Sequence, residues 1–367
     1  MRALLVAFAL CATAAVAHAY PQFQLSREQT CVSCHLSPTG GGLINENGEL
    51  TAEDDAKWGG DPRFVNGALE LPTWMHLGAD FRLAGGVSDN GGGAHGAAFP
   101  MQLEAHAQAD RGPVSVVADL GVTIPREGEP LSLLMSRQHY VEWKQHETGD
   151  GWYGRAGRFM PVYGLRLAEH PAYTRRFGGT PLFSETYGAT LGWVTPAAEV
   201  HVSGFTRDRL RDTVSDSDGV AVYAEKRVAS GRASLGVEAR HARSDEDIRN
   251  EGGVTGKLWL DGPQVLIQAE AQVVRQNFEV GPTRHQVIAY VMTSWFPAKS
   301  YMVDVGIGHY DQDIKVPDVD RDAAEVILHW FPLAHLELIL MGRVQLIGLG
   351  DGGPRSNYGL LQVHYRL

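Results

Sequence analysis

After Leu71-Pro72 the chain alternates apolar with polar or small residues in runs of about ten positions, each closed by a turn signal. Met101, Leu103, Ala105, Ala107 and Ala109 form one face of such a run, and Gln102, Glu104, His106, Gln108 and Asp110 the other. Val265, Ile267, Ala269, Ala271 and Val273 oppose Gln264, Gln268, Glu270 and Gln272 in the same way, and Leu361, Val363, Tyr365 and Leu367 oppose Gln362, His364 and Arg366. A period of two sends successive side chains to opposite faces of a strand. It predicts strands near 73–85, 98–110, 113–123, 133–145, 151–160, 186–195, 198–207 and 219–229. A second set follows near 231–243, 254–261, 263–276, 285–297, 300–311, 321–331, 334–345 and 357–367, which makes 16 in all.

The links between these strands alternate in length. Short turns fall at Asp110–Pro113, Thr195–Ala198, Ala229–Gly231, Asp261–Pro263, Pro297–Ser300 and Phe331–Ala334. Longer links rich in Gly, Asp and Asn fall at 86–97, 124–132, 161–185, 208–218, 244–253, 277–284, 312–320 and 346–356. An even strand count with short turns at one end and long loops at the other is the pattern of an outer-membrane barrel, both of whose chain ends lie in the periplasm. The expected fold is therefore all-β: an antiparallel transmembrane barrel of about 16 strands over residues 73–367, preceded by a short segment over 20–72. Trp74, Trp143, Trp152, Trp193, Trp295, Trp330 and Tyr365 near strand ends suit interfacial girdles, although the last residue is Leu367 and not an aromatic. A soluble sandwich could not bury so many strands in one core. The most apolar stretch, Ala324–Gly342, holds Glu325, His329, Pro332, His335 and Glu337, and reads as two strands and not as a membrane helix.

Residues 1–19 carry Arg2, an apolar run and the small-residue exit Ala17-His18-Ala19, the form of a cleavable export signal that removes Cys11 with it. The net charge of −11 loses one positive charge with the signal and becomes −12. Such a balance argues against nucleic-acid binding, which needs basic stripes, and suits a surface or pore that tolerates cations.

Just past the signal stands Cys31-Val32-Ser33-Cys34-His35, a C-x-x-C-H pentapeptide. In an exported chain this is the attachment site of a covalent c-type haem: each thiol forms a thioether, and the adjacent histidine faces the iron as proximal ligand. A zinc site needs four ligands, usually from two such half-motifs, and the remaining cysteine leaves with the signal. A thioredoxin-type pair needs a strand-turn-helix setting, whereas Glu28-Gln29-Thr30 and Ser37-Pro38-Thr39-Gly40-Gly41-Gly42 read as loop.

Residues 20–72 are too few and too loop-like to wall a haem by themselves. A barrel of this size has a polar lumen, so the segment is expected to enter from the periplasmic mouth, plug it, and take its pocket walls from the barrel. A second axial ligand is then expected among inward-facing residues near that rim. His76 leads the candidates because it directly follows the segment; His201, His329, His335 and His364 share the orientation, His106 lies further along, and Met292, Met302 and Met341 also point inward, whereas Met75 is expected to face outward. The link 161–185 reads either as a loop folded into the channel, with Arg158, Arg166, Arg175 and Arg176 at a constriction or on the haem propionates, or as a solvated outer loop with its charges exposed. Two acidic outer groups, Asp208, Asp212, Asp216 and Asp218, and Asp311, Asp313, Asp318 and Asp320, read as solvated loops or as a means of concentrating a cation such as Fe(II).

A signal, one C-x-x-C-H site and a barrel in a single chain resemble the fused monohaem cytochrome-porins of the outer membrane, a family that includes neutrophilic and acidophilic iron oxidases. The local match is Pro21-Gln22-Phe23 ahead of the haem site and Pro38, Leu43 and Gly48 behind it, about thirty residues; for the rest it is architectural. The resemblance implies haem c at Cys31 and Cys34, His35 as axial ligand, and electron passage through the porin. The expected function is one-electron transfer from an external reductant such as Fe(II) to a periplasmic c-type cytochrome, an Fe(II):cytochrome c oxidoreductase embedded in outer-membrane lipid. One haem is short beside an apolar band ~25 Å tall, so the external donor must approach through the lumen. The alternatives are electron export with the same parts, and a solute porin whose haem is structural or sensory. No acid–base or nucleophilic constellation stands out.

Overall fold

The computed structural model describes residues 22–122, 134–208, 216–348 and 355–367. The expected export signal, Pro21 of the lead-in, the outer link 124–132 and Asp212 lie outside the described residues. The first half of the sheet is β1 Met75–Asp89, β2 Ala94–Arg111, β3 Val114–Val122, β4 Leu134–Met135 with His139–Lys144, β5 Gly151–Phe159, β6 Thr186–Val194, β7 Ala198–Thr206 and β8 Asp218–Val228. The second half is β9 Ala233–Arg243, β10 Asp247–Leu260, β11 Val265–Phe278, β12 Arg284–Ala298, β13 Tyr301–Asp311, β14 Asp320–Leu333, β15 Leu336–Ile347 and β16 Arg355–Arg366. Every neighbour pair is antiparallel, and β1 closes the sheet on β16 from Asp80↔Arg366 to Asp89↔Asn357. Closure leaves no sheet edge, the condition for a sheet to stand in lipid.

Burial is inverted relative to a soluble protein. Leu235 is 67 % and Val273 63 % exposed, whereas Asp304 and Glu337 are wholly buried. Leu103, Val116, Leu191, Val202, Val237, Val254, Ile307, Val326 and Leu361 form an outward apolar belt, and Trp143, Trp152 and Trp295 are also exposed near strand ends. An apolar outside and a polar inside define a lipid-spanning barrel, the architecture of the bacterial outer membrane. Among the described residues no helix is long and apolar enough to cross a membrane.

Strand number and order match the sequence periodicity, while several boundaries move. β2 starts at Ala94 and β10 at Asp247, so much of the expected loops 86–97 and 244–253 belongs to the ladder. Gly96 pairs with Val87 and Asn250 with His241. The backbone supplies those bonds whatever the side chain, so polar and glycine-rich rim residues remain in the sheet after the alternation has faded. Likewise Asp218, Asp311 and Asp320 lie on strands and not in loops, and Asp218 is held by Thr206 and Arg207.

β4 is interrupted at Ser136–Gln138. Asp119 on β3 staples the break: its Oδ1 accepts from the backbone N–H groups of Arg137 and Gln138, both at 2.7 Å. The bend sends Arg137 inward to Glu185, 2.8 Å through Nε. The link from Met160 to Glu185 folds into the lumen and not out into solvent. Leu165, Leu167 and Ala172 cluster with Tyr290 and Met292, and Tyr173, opening the short helix Tyr173–Phe177, packs on Val274, Ile288 and Tyr310.

Candidate functional site

Residues 22–72 hold three short helices, α1 Phe23–Ser26, α2 Cys31–Cys34 and α3 Glu46–Asp55. Thr30 caps α2 in a reciprocal box with Ser33, whose hydroxyl accepts from the Thr30 N–H at 3.1 Å. Asn45 caps α3 by accepting from Gly48 N at 3.0 Å, and Glu46 and Glu49 lie in the first turn, where the helix dipole favours acids. The Asn45 amide also donates to the carbonyls of Val32 (3.0 Å) and His35 (3.3 Å), so one side chain ties α3 to the C-x-x-C-H turn. Gly48 faces the Cys34 carbonyl so closely that a Cβ would collide with it.

Between the helices Leu36 N bonds Leu43 O at 3.1 Å, His35 bridges Ile44, and the loop 37–43 turns back over the cysteines. Gly40, at φ +76°, lies where a Cβ would stand 3.2 Å from Cys31 Sγ. Cys31 and Cys34 are not joined in a disulfide, and burial pushes both thiols up from the usual value. Burial lowers His35 to about 4, leaving a neutral imidazole whose Nδ1 has no hydrogen-bond partner. Two protonated thiols one turn apart, a neutral buried imidazole with an unmatched nitrogen, and a glycine beside Sγ fit thioether attachment and iron ligation. They do not fit zinc: among the described residues no cluster of three metal-binding side chains includes Cys31, Cys34 or His35.

The segment is docked on the inward face of the barrel. Glu225 Oε2 accepts from Lys257 Nζ at 2.7 Å, Lys257 donates to Gln24 Oε1 at 2.9 Å, and Gln24 Nε2 donates to Cys31 Sγ at 2.8 Å. A continuous polar chain thus runs from β8 and β10 to the first cysteine. Lys144 Nζ donates to Leu36 O (3.2 Å), Arg155 to Thr39 Oγ1 (2.9 Å), and Ser37 to Glu142 Oε2 (3.4 Å). Phe23 packs with Met302 and Phe331, Leu25 with Trp259 and Leu266, and Val32 with Tyr153 and Val194. Lys57 N and Trp58 N bond the carbonyls of Phe331 and Pro332 at the short-turn end. The inward loop meets the segment from the other side, where Arg166 donates to Thr39 O at 3.1 Å and pairs with Glu199.

Among the cavities around the loop that follows the C-x-x-C-H turn, two bear on the expected site. One, of about 230 Å³, lies between Thr39–Gly41 and the inward loop and is lined by Arg137, Arg155, Arg166 and Arg175. Arg158 instead pairs with Asp208, and Arg176 lies over the Phe177 ring. The other, of about 440 Å³, opens below Leu43 and Ile44 and is lined by Met75, His76, His106 and His335. Met75 borders this cavity at the barrel mouth, while its pairing with Ala109 keeps it on the outward parity of Leu77 and Phe81, as expected.

The histidines expected as second ligands separate by partner. His76 Nε2 is 3.1 Å from Asp110 Oδ2 and its ring lines the larger cavity. His364 has both nitrogens on carboxylates, Nδ1 on Glu337 (3.0 Å) and Nε2 on Asp80 (2.8 Å). His329 is held likewise between Glu337 and Asp304, and His201 by Tyr153 at 2.7 Å. Met292 accepts from Gln22 at 3.4 Å, and Met302 is packed against Phe23. Sequence reading missed Gln24, Asn45 and Lys257. Asn45 before Glu46 carries the signal of a helix cap, but nothing local marks Gln24 or Lys257, which meet across 233 positions.

No protein-family model matches the chain, and no curated protein matches it by sequence. Solved structures do match. The anion-selective porin of Comamonas acidovorans superimposes with a TM-score of 0.62 at 10% identity, covering 80% of this chain and 99% of that one. Pseudomonas putida OprB gives 0.62 at 11% identity over 80% and 94%. The outer-membrane channel DcaP of Acinetobacter baumannii gives 0.55 at 14% over 80% and 97%. The 80% covered is the share that the barrel from Met75 onward fills by itself, and the shared feature is the fold: a closed porin-type barrel.

Proposed function

We propose that the chain passes single electrons across the outer membrane, from an external donor such as Fe(II) to a periplasmic c-type cytochrome, by way of one haem c attached at Cys31 and Cys34 and ligated by His35. The observation that carries this reading is the seating of the C-x-x-C-H turn against the lumen wall through the Glu225–Lys257–Gln24–Cys31 chain. When bound, the haem supplies a one-electron iron couple. The protein's own residues do the rest. Asn45 and the α3 cap hold the motif turn in shape, and burial keeps His35 neutral and able to donate a lone pair to a metal. Arg137, Arg155, Arg166 and Arg175 form a cationic wall suited to propionate carboxylates. His76 remains the proposed second ligand, with its cavity beside the segment. The periplasmic partner would meet the short-turn end, where α3 and residues 57–72 are exposed.

Expression with a c-type cytochrome maturation system, haem staining of denaturing gels and stopped-flow mixing with Fe(II) test the reading. Haem should stay covalently bound, disappear in the Cys31→Ala, Cys34→Ala double variant, and be reduced by Fe(II). Absence of stain in mature wild-type protein would end it. A second reading, a solute porin, is favoured by the fold of the matching structures. Against it stand the segment and the inward loop, which meet inside the lumen at Thr39 and Arg166. Large, selective conductance in planar bilayers with the segment in place would favour the porin.

A further inference from the structure

We propose that Glu169, Asp304 and His329 form a binding site for one divalent first-row transition cation inside the lumen. Glu169 comes from the inward loop, Asp304 from β13 and His329 from β14, and one ligand atom of each lies within 4.8 Å of the others. Asp304 pairs with Ile327 in the ladder, which sets His329 two residues on, as its diagonal neighbour on the same face.

Three observations point to a cation. Asp304 is wholly buried, and its Oδ1 has no hydrogen-bond partner; Glu169 Oε2 is buried and also has none. Two carboxylates that each keep a buried, unmatched oxygen and approach one another within 4.8 Å repel and lack solvation, a cost that a cation between them removes. The imidazole is already oriented: Glu337 Oε1 accepts from His329 Nδ1 at 2.7 Å, which directs Nε2 towards Asp304, 3.2 Å away. A carboxylate behind the far nitrogen is how proteins fix a histidine as a metal ligand. Glu337 is in turn held through its other oxygen by His364 at 3.0 Å, and His364 by Asp80 at 2.8 Å, so the support extends over β15, β16 and β1. One imidazole and two carboxylates suit Fe(II), Mn(II), Co(II) or Zn(II) better than Ca(II) or Cu(I).

The loop and the barrel wall make this site without any residue of the haem-motif segment, so it stands or falls separately from the electron-transfer reading. A second group, His309, Asp320 and Asp322, is less buried and serves as the control location.

The test is calorimetric titration of the purified full-length protein, stripped with chelator in detergent, with Co(II) at neutral pH. One equivalent should bind. Glu169→Gln, in a loop where the barrel does not depend on it, and Asp304→Asn should each weaken binding at least tenfold, and Glu337→Gln, a positioning change, roughly 10- to 100-fold. Asp322→Asn should leave binding unchanged. Wild-type affinity in both Glu169→Gln and Asp304→Asn, loss of binding in Asp322→Asn alone, or no binding to a barrel shown intact by its heat-shifted gel mobility would overturn the proposal.

Discussion

Replacing Lys257 with Met should release the N-terminal segment from the barrel wall. The ammonium is buried between Glu225 Oε2 at 2.7 Å and Gln24 Oε1 at 2.9 Å, with 1% and 4% of the Lys257 and Glu225 side chains exposed. Removing one partner of such a pair costs about 3–5 kcal/mol, because the other charge stays buried. Glu225 would keep the Tyr223 hydroxyl at 2.6 Å, but that group is no counter-ion. Docking of the segment loses the bond to Gln24, and a hydrogen bond to a charged group contributes about 1.5–3 kcal/mol. At 1.4 kcal/mol per decade the undocked population should rise roughly 10- to 150-fold. The assay is trypsin digestion from the periplasmic face of outer-membrane vesicles, since Arg27, Lys57 and Arg63 lie in the segment. When opening and closing are faster than cleavage, the rate follows the open population. The Glu225→Gln, Lys257→Met double variant should recover barrel stability, since neither charge of this pair is left without its partner, yet stay open to trypsin because Gln24 loses the lysine donor. If Lys257→Met is cleaved at the wild-type rate, the segment is not held at this joint and the docking reasoning fails.

Val237 faces lipid in mid-strand, paired with Ala224 and Val254; Val237→Arg should destabilise the barrel by about 2–4 kcal/mol, read by urea unfolding in vesicles, and an unchanged midpoint would contradict the outward assignment. Burial raises Asp55 in α3 to about 6, although it pairs with Arg27. A carboxyl raised in the folded state binds protons there more readily than in the undocked chain, so its contribution to docking falls as pH rises from about 4 to 6 and stays low above that. Trypsin resistance at pH 4.5 relative to pH 7 should thus exceed that of Asp55→Asn by on the order of tenfold; parallel pH profiles would contradict this. Gly40→Ala imposes a left-handed backbone cost of about 1–2 kcal/mol and sets a methyl 3.2 Å from Cys31 Sγ. Haem per chain on stained gels should drop, and wild-type loading would show that the loop is not packed as described.

The strand count and the direction of each face were legible because they depend on local quantities. A period of two needs only neighbouring residues, and once Gln102, Glu104 and Gln108 share a face, its polarity follows without knowledge of the partner strand. The C-x-x-C-H turn was legible for the same reason, since its chemistry lies within five consecutive residues. Rim extensions such as 94–97 and 247–253 were not, because a ladder bond belongs to the backbone and leaves no trace in side-chain type. Nor could the alternation distinguish His76, which lines a cavity, from His364, which is clamped between Glu337 and Asp80, although both point inward. The row His106–Asp80–His364–Glu337–His329–Asp304 crosses six consecutive strands, and its order is set by the stagger with which the sheet closes. Sequence thus determined which residues face the lumen, because facing is a property of each strand alone. Which of them touch one another, and which hold Cys31, was decided only by tertiary structure, because barrel closure and the seating of a chain segment inside it join positions more than two hundred residues apart.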